Sequence, residues 1–216
     1  MDSSKTLDWL NSIDAWLFDL DGTLVDSTAC VIAAWQNWCP RHGLNADDVI
    51  HKAHGRRALD SVKLLLPHAN HDEEVAILED LECNLTDGLV VIDGAHTLLS
   101  RISSRPWAIV TSGSIRVASH RTNYTRLPLP PVLVCADDVV HGKPDPEGYL
   151  LAAKRLNVPP SKCVVVEDAV AGIRAGKTAG MRVIAVATTH APHELMEADY
   201  VCESLSELLD NLIETH

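Results

Sequence analysis

Two carboxylates stand two residues apart at the end of an apolar run near the start of the chain. In the stretch WLFDLDGTLVDS, Asp19 and Asp21 come where the apolar residues give way to Gly22 and Thr23. Burying a carboxylate is costly unless something compensates its charge. Gly22 permits a turn that would bring both carboxylates to the mouth of one site. We therefore expect a cation and a phosphate group to compensate the two acids.

Three further polar clusters follow later apolar runs, and each offers a different kind of group. The first contains hydroxyl and small residues, namely Thr111, Ser112 and Gly113. The second contains Lys143, and the third is the pair of acids Glu167 and Asp168. Hydroxyls and backbone N–H groups before a helix favour an anion, an ammonium group suits phosphate, and carboxylate oxygens suit magnesium. Each cluster alone is also typical of a turn, a helix N-terminus or a solvated surface charge. Together they supply the groups that phosphoryl transfer requires.

Short valine-rich runs alternate with helical patterns over the second half of the chain. The runs are PWAIV, PVLVC, KCVVVE and MRVIAVA, and the early run AWLFDL belongs with them. Strands of this kind, alternating with helices, predict an α/β fold with a Rossmann-like, doubly wound parallel sheet. Ligands bind such sheets beyond the carboxyl ends of the strands, where the four polar clusters stand. The predicted fold therefore brings the four clusters to one edge of the sheet.

The segment after the first predicted strand has a different pattern. Its apolar residues recur at helical spacing, without a clear strand between them. This pattern predicts a small helical cap domain over residues 26–90, inserted into an α/β core formed by residues 1–25 and 91–216. Trp35 and Trp38 lie three apart on one helix face, and we expect them in the core of this cap.

Composition and charge limit the classes of partner. The formal net charge of −12 argues against a nucleic acid held through a general basic field and favours the attraction of cations. No segment reaches the roughly 20 apolar residues needed to span a membrane, and the N-terminus lacks a signal-peptide pattern. The six cysteines are scattered without a C-x-x-C pair, which indicates reduced thiols in a cytoplasmic protein. We expect a small-molecule substrate, no nucleic acid and no membrane; the oligomeric state stays open, a monomer included.

The four clusters, in this order, resemble the motifs of the haloacid dehalogenase superfamily of aspartate-nucleophile phosphatases. The matching stretches are FDLDGTLVDS, VTSGS, GKPDP and VVVEDAVAGIRAG. The resemblance covers nearly the whole chain, because the helical insert is similar to the small C1-type cap of that superfamily. Two further stretches, DDVIHKAHGRRALDSVKLL and WAIVTSGS, resemble the branch that hydrolyses sugar and polyol phosphates. That branch includes 2-deoxyglucose-6-phosphate, glycerol-phosphate and hexose-phosphate phosphatases.

This resemblance implies an aspartyl-phosphate intermediate and a role for each cluster. Asp19 would be the nucleophile, and Asp21 would protonate the leaving alcohol and then activate the hydrolytic water. Mg²⁺ is the implied cofactor, and its implied ligands are Asp19, the backbone carbonyl of Asp21, Asp168 and Glu167, the last directly or through water. The phosphoryl group would be bound by Thr111, Ser112, Gly113 and Lys143.

The loop HKAHGRRA is the best candidate for reaching from the cap into the site. It carries His54 and Arg57, which are the candidate substrate contacts of the cap, and a surface position is the alternative for each. Arg57 is the better match to the sugar-phosphate branch. The sequence thus favours a magnesium-dependent phosphomonoesterase that acts on small sugar or polyol phosphates.

Other functions compete with this interpretation. A sugar phosphomutase of the β-phosphoglucomutase type shares all four clusters, but that resemblance leads us to expect a histidine early in the first cap helix, and STACVIAAW has none. A phosphatase for a larger, non-sugar ester stays open as well. A dehalogenase would lack the D-x-D arrangement. A non-catalytic binding protein is disfavoured because every cluster keeps its reactive groups.

Overall fold

The computed structural model describes residues 7–53 and 55–214. The strands within these ranges are β1 (Ala15–Phe18), β2 (Val25–Asp26), β3 (Val90–Val91), β4 (Trp107–Val110), β5 (Val132–Val134), β6 (Cys163–Glu167), β7 (Arg182–Val186) and β8 (Tyr200–Cys202). The α-helices are α1 (Thr28–Trp38), α2 (Ala46–Ala53), α3 (Ala58–Leu65), α4 (His71–Asn84), α5 (Ala95–Ile102), α6 (Ile115–Tyr124), α7 (Glu147–Leu156), α8 (Val170–Thr178) and α9 (Leu205–Glu214).

Six of the strands form one parallel sheet in the order β5, β4, β1, β6, β7, β8. β1 pairs with β4 on one side and β6 on the other, so that Phe18 lies opposite both Ile109 and Val166. The chain completes the β4 and β5 side first and then crosses to β6, β7 and β8. This reversal beside β1 is the switch point at which open α/β sheets bind ligands. The predicted Rossmann-like, doubly wound α/β core is confirmed.

Helices cover both faces of the sheet, which explains the nearly continuous apolar runs of its strands. Trp16 and Phe18 point to the face that is packed against α5 and α9. Ala15 and Leu17, which alternate with them, point to the face that is packed against α7 and α8. Helices packed on both faces thus fix β1 at the centre of the sheet, directly before the first acidic cluster.

Helices α1 to α4 form a block with a core of its own. Trp35 and Trp38 are buried in this core, with their ring centroids 5.3 Å apart in an edge-to-face arrangement. Trp38 also donates a hydrogen bond from Nε1 to Glu74 Oε2 at 2.9 Å. Val62 and Leu78 lie in the same cluster. We call this helical block the cap.

β2 and β3 pair antiparallel where the chain passes between the sheet and the cap. Val25 lies opposite Val91, and Asp26 lies opposite Val90. The Asp26 side chain also accepts a hydrogen bond from the backbone N–H of Thr28 at 3.0 Å and so caps the first turn of α1. The two connections to the cap therefore lie side by side, at the ends of the predicted insert.

β8 and α9 are among the elements that were not predicted from the sequence. β8 has three residues at the edge of the sheet, which is too short for a clear periodic pattern. α9 follows it and packs Leu205 and Leu208 into the same cluster as Trp16.

All six cysteines are free thiols. Among the described helices, none has the length and apolar character that crossing a membrane requires.

Candidate active site

The three central strands place polar side chains at one edge of the sheet. Asp19 follows β1, Thr111 follows β4, and Glu167 and Asp168 stand at the end of β6. All four side chains belong to buried residues. Lys143 arrives from the loop between β5 and α7. The structure thus brings the four sequence clusters into one site, as expected for parallel strands whose carboxyl ends meet.

Lys143 is the link between two of the acids. Its Nζ lies 2.5 Å from Asp19 Oδ1 and 2.6 Å from Glu167 Oε1, and it donates to the carbonyl of Val110 at 3.2 Å. Burial alone would lower the pKa of Lys143, but the carboxylates of Asp19 and Glu167 raise it above its usual value. The ammonium group therefore stays charged and offsets part of the negative charge of the site.

Glu167 is held entirely by donors of the protein. Its Oε1 also accepts a hydrogen bond from the Tyr149 hydroxyl at 2.8 Å, and its Oε2 accepts from the backbone N–H groups of Asp168 and Ala169, each at 3.1 Å. A Cβ at Gly172 would lie 1.6 Å from Oε1, so this position of α8 has to be glycine for Glu167 to lie where it does. Burial and the charge of Glu167 raise the pKa of Tyr149 well above its usual value, which keeps its hydroxyl a donor.

Asp19, Glu167 and Asp168 form a cluster that fits a hard divalent cation. One carboxylate oxygen from each lies within 4.8 Å of the others. Burial raises the pKa of Asp19 well above its usual value; Lys143 opposes this shift, and the neighbouring acids strengthen it. The site thus places three buried carboxyl groups around one lysine. Carboxylate oxygens with excess negative charge are the donor set that Mg²⁺ prefers.

Asp168 is fixed by two threonines and by a close approach of the backbone. Its Oδ1 accepts a hydrogen bond from Thr23 Oγ1 at 3.2 Å, and its Oδ2 accepts a short one from Thr189 Oγ1. Gly22 has a φ of +85°, and a Cβ there would lie 2.2 Å from Asp168 Oδ2. The glycine of the first motif thus provides both the turn and the space for the acid of the fourth motif.

Asp21 points toward the cap and is held at both of its carboxylate oxygens. Oδ1 accepts a hydrogen bond from Ser27 Oγ at 2.7 Å, and Oδ2 lies 2.7 Å from Nη1 of Arg121. Thr111 Oγ1 is a further 3.5 Å neighbour of Oδ2. The Asp21 side chain is 26% exposed, whereas that of Asp19 is 10% exposed. Of the two acids in the first motif, Asp21 is therefore the one more open to the cavity.

Arg121 connects Asp21 to the cap. It lies on α6, is 3% exposed, and places Nη2 2.7 Å from Oε2 of Glu82 on α4. Burial alone would lower the pKa of Arg121, but Asp21 and Glu82 raise it above its usual value. Burial also raises the pKa of Glu82, and Arg121 opposes that shift. One buried guanidinium thus joins a carboxylate of the core to a carboxylate of the cap.

The small-residue loop after β4 contacts the cap as well. Thr111 Oγ1 accepts a hydrogen bond from the backbone N–H of Gly113 at 3.0 Å. Ser112 donates from Oγ to the carbonyl of Gly55 at 3.0 Å. Ser114 accepts from the N–H of Val117 at 3.4 Å and so caps α6. The cap loop that contains Gly55 therefore reaches the site, as its sequence suggested.

The two candidate substrate contacts of the cap have different outcomes. His54 lies outside the described residues. Arg57 lines the cavity, but it donates to both carboxylate oxygens of Asp60 at 2.7 and 2.8 Å, and to the carbonyls of Val139 and Val140 at 3.0 and 2.9 Å. These bonds use most of its guanidinium donors. In this structure Arg57 fastens the cap to the core loop that precedes Lys143.

A cavity of about 390 Å³ separates the cap from the sheet edge. Its floor is formed by the acids, Lys143 and the small-residue loop. Its cap wall is mainly apolar and includes Val31, Ile32, Trp35, Ile50 and Val75. Asp72, Glu79 and Glu82 add carboxylates to that wall. A phosphate at the floor would thus place its organic group among apolar side chains and hydrogen-bond acceptors.

Several residues that organise the site were not predicted from the sequence. Ser27 belongs to the first motif and could have been found there, since it lies six residues after Asp21. Tyr149, Arg121 and Glu82 lie on helices whose local sequence carries no signal for this role. They become visible only through contacts between distant segments.

Comparisons with known proteins agree with this geometry. A family model described as haloacid dehalogenase-like hydrolase matches residues 13–180. Hexitol phosphatase A from Escherichia coli (strain K12) is 44% identical over 198 residues, which cover 89% of this chain and 92% of that protein. 2-Deoxyglucose-6-phosphate phosphatase 2 from Saccharomyces cerevisiae (strain ATCC 204508 / S288c) is 33% identical over 221 residues, which cover 91% of this chain and 90% of that protein.

The fold is also similar to solved structures. The crystal structure of a hydrolase from Pseudomonas syringae superimposes with a TM-score of 0.80 at 29% identity, covering 93% of this chain and 98% of that chain. The family match spans more than half of the chain, and relatives with more than 30% identity span most of it. The chain therefore belongs to the haloacid dehalogenase-like hydrolase family, as its four motifs predicted.

Proposed function

We propose that this protein is a magnesium-dependent phosphomonoesterase that hydrolyses small sugar or polyol phosphates through a transient phosphate ester of Asp19. One observation carries the proposal: Asp19 is buried against Lys143 at the floor of a cavity, with Asp21 facing the same cavity two residues later. This arrangement offers a nucleophile, a charge partner and a separate acid. The names of the two relatives, a hexitol phosphatase and a 2-deoxyglucose-6-phosphate phosphatase, support the substrate class.

In the first half of the proposed reaction, a carboxylate oxygen of Asp19 attacks phosphorus. The bond between phosphorus and the alcohol oxygen breaks, and Asp21 gives its proton to that oxygen as the alcohol leaves. Lys143 offsets the charge of Asp19 and of the phosphoryl group, so that one anion can approach another. Thr111, Ser112 and Gly113 lie beside this floor and bind the phosphoryl oxygens.

In the second half, water attacks the phosphorus of the Asp19 ester. Asp21, now without its proton, takes one from the water as the bond to Asp19 breaks. Inorganic phosphate leaves and both aspartates return to their initial states. Splitting one difficult displacement into two easier ones is the general advantage of a covalent intermediate.

Mg²⁺ would be held by Asp19, Asp168 and the backbone carbonyl of Asp21. Glu167 belongs to the same acidic cluster, and we propose that it contributes through its charge or through water. Both of its oxygens already accept hydrogen bonds from Lys143, Tyr149 and the backbone. When bound, the ion supplies positive charge that offsets the carboxylates and the phosphate oxygens.

The residues of the cap wall favour a phosphatase over a phosphomutase, which would transfer the phosphoryl group back to the sugar. The cavity-facing residues of α1 are Thr28, Val31, Ile32 and Trp35, and no histidine occurs in this helix. The histidine that a β-phosphoglucomutase-type enzyme leads us to expect there is thus replaced by apolar side chains. The same apolar wall favours the second candidate, a phosphatase for a larger and less polar ester.

A panel of phosphate esters tests the proposed function. Purified protein with Mg²⁺ is assayed for inorganic phosphate with hexitol phosphates, glycerol 1-phosphate, 2-deoxyglucose 6-phosphate, glucose 1-phosphate and a large aryl-alkyl phosphate, and the esters are ranked by kcat/KM. We expect the sugar and polyol phosphates to rank first. Formation of glucose 6-phosphate from glucose 1-phosphate without phosphate release would instead identify a mutase. A first rank for the aryl-alkyl ester would support the second candidate.

A further inference from the structure

A buried chain of charges runs from the cap to the acid that faces the cavity. Glu82 Oε2, the Arg121 guanidinium and Asp21 Oδ2 follow each other with two contacts of 2.7 Å. The side chains of Arg121 and Glu82 are 4% and 14% exposed. The second oxygen of Asp21 is held by Ser27, which directly precedes the first cap helix. The two shorter contacts of the Asp21 carboxyl therefore depend on where the cap stands relative to the core, whereas the 3.5 Å contact from Thr111 Oγ1 lies within the core.

We propose that Arg121 is a positioning residue for Asp21 and that Glu82 keeps Arg121 in place only while the cap lies against the core. This inference rests on the proposed function, because it assigns Arg121 to the acid and base steps of Asp21. Neither Arg121 nor Glu82 exchanges a proton with the substrate. Their effect is the orientation of the carboxyl that does.

An arginine suits this position for a chemical reason. Its guanidinium has donors only and stays protonated, so it cannot take the proton that Asp21 has to transfer. It can therefore hold Oδ2 as an acceptor in either protonation state of Asp21. The planar group also has donors on two sides, which lets Nη1 face Asp21 while Nη2 faces Glu82.

Glu82 makes the position of Arg121 conditional. Arg121 lies on α6 of the core and Glu82 on α4 of the cap, so displacement of the cap would remove one of the two acids around a buried guanidinium. An unpaired buried charge is unfavourable, and the guanidinium would have to reorient or become solvated. The proton-transfer group is then fixed in its working orientation only when the cavity is closed over a substrate.

The dependence of kcat/KM on the leaving group distinguishes a residue that positions the acid from one that only supports the fold or binds phosphate. The ester bond of p-nitrophenyl phosphate breaks with little help from an acid, whereas that of glycerol 1-phosphate requires protonation of the alcohol oxygen. The constant kcat/KM reports the steps up to alcohol release and excludes hydrolysis of the aspartyl-phosphate. We expect Arg121→Met to lower kcat/KM for glycerol 1-phosphate about 100-fold and that for p-nitrophenyl phosphate by less than about tenfold.

Four further variants make the experiment decisive. Asp21→Asn should show the same selective loss, and adding Arg121→Met to it should change the ratio of the two kcat/KM values little further. Glu82→Gln should shift the ratio in the same direction by about tenfold, less than the roughly 10²- to 10⁴-fold contribution of a positioned acid, because Arg121 itself is retained. Arg116→Met is the matched control, because Arg116 on the same helix pairs with Asp80 on α4 at 2.5 Å but lies at the surface. Its ratio should equal that of the wild type.

Each outcome decides the question. Equal losses for both esters in Arg121→Met would overturn the proposal and place Arg121 among the phosphate-binding residues. If Arg121→Met fails to fold, Glu82→Gln decides alone, and an unchanged ratio in that variant also overturns the proposal. A wild-type protein that releases no phosphate from either ester would contradict the proposed function itself, which is a different failure.

Discussion

The ammonium nitrogen of Lys143 lies 2.5 Å from Oδ1 of Asp19, although 124 residues separate them in the chain. Both side chains are at most 10% exposed. Bringing two opposite charges this close in a buried position requires that each be present, because removal of one leaves the other uncompensated. The contact therefore joins the loop before α7 to the end of β1 and places a positive charge beside the proposed nucleophile.

Replacement of Lys143 by alanine should reduce catalysis far more than substrate binding. We expect kcat to fall by about 10²- to 10³-fold, the effect of removing one preorganised charge from a transition state. Steady-state kinetics with the best ester of the panel measures this change. Lys154→Ala removes an exposed lysine of α7 and serves as the control. A change confined to KM would reassign Lys143 to substrate binding.

Asp19→Asn should abolish turnover while the fold is retained. An amide cannot form the aspartyl-phosphate, and it fits the same space beside Lys143. Circular dichroism checks the fold, and rapid quenching with labelled substrate followed by peptide mapping should find the label on Asp19 in the wild type only. Asp26→Asn, which changes an exposed acid that caps α1, should remain active. Label on any other residue would refute the proposed intermediate.

Removal of divalent cations should silence the enzyme, and Mg²⁺ should restore it. Asp19, Glu167 and Asp168 place three carboxyl groups within 4.8 Å of one another, and Lys143 contacts two of them, which leaves oxygen donors for a cation. Mg²⁺ at ten times its dissociation constant should raise the free energy of unfolding by about 1.4 kcal/mol, measured by thermal or urea unfolding. Asp168→Asn should reduce this stabilisation. Activity that is indifferent to EDTA would exclude the metal assignment.

The stability of the core should depend on pH through Asp199. This acid accepts hydrogen bonds at 2.8 Å from Lys177, Arg182 and the backbone N–H of Val183. Burial alone would raise the pKa of Asp199, but these donors lower it below its usual value. A lowered pKa in the folded state stabilises the protein above the unfolded pKa of about 3.9, and this stabilisation is lost as the pH falls.

Asp199→Asn should therefore lower the free energy of unfolding by about 1 kcal/mol at pH 7. This value is small for hydrogen bonds to a charged group because both cationic partners, Lys177 and Arg182, are partly exposed. The difference from the wild type should shrink as the pH is lowered through the carboxyl range. Urea unfolding at neutral and acidic pH measures both values. Glu197→Gln, which changes a surface acid paired with Arg174, should have little effect at either pH. A difference that grows toward acidic pH would contradict the assignment.

The sequence was sufficient for the central strands and for the floor of the site. Asp19, Thr111 and Asp168 each follow an apolar run, and strand ends in a parallel sheet converge without further information. The helical spacing after β1 predicted a cap over residues 26–90, and helices α1 to α4 lie within this range. The short strand β8 was not, because three residues cannot show a period.

The links between segments could not be predicted. Tyr149 reaches Glu167, and Arg121 reaches both Asp21 and Glu82, through tertiary contacts for which neither local propensity nor motif spacing gives a signal. Arg57 is a residue that was predicted to contact the substrate but that the protein itself engages. Its position in the cap loop suggested a substrate contact, and the structure shows how Asp60 and two core carbonyls engage it.

The side-by-side course of β2 and β3 leaves the two ends of the cap only about 5 Å apart, the spacing of paired strands. A unit with neighbouring ends can be enlarged, trimmed or transplanted as one contiguous piece of gene without stretching the framework beneath it. Preference for one leaving group or another can thus diversify independently of the phosphate chemistry. Under the proposed role of Arg121, such a transplant would have to retain a carboxylate opposite this arginine, or the new enzyme would bind its ester well and cleave it slowly.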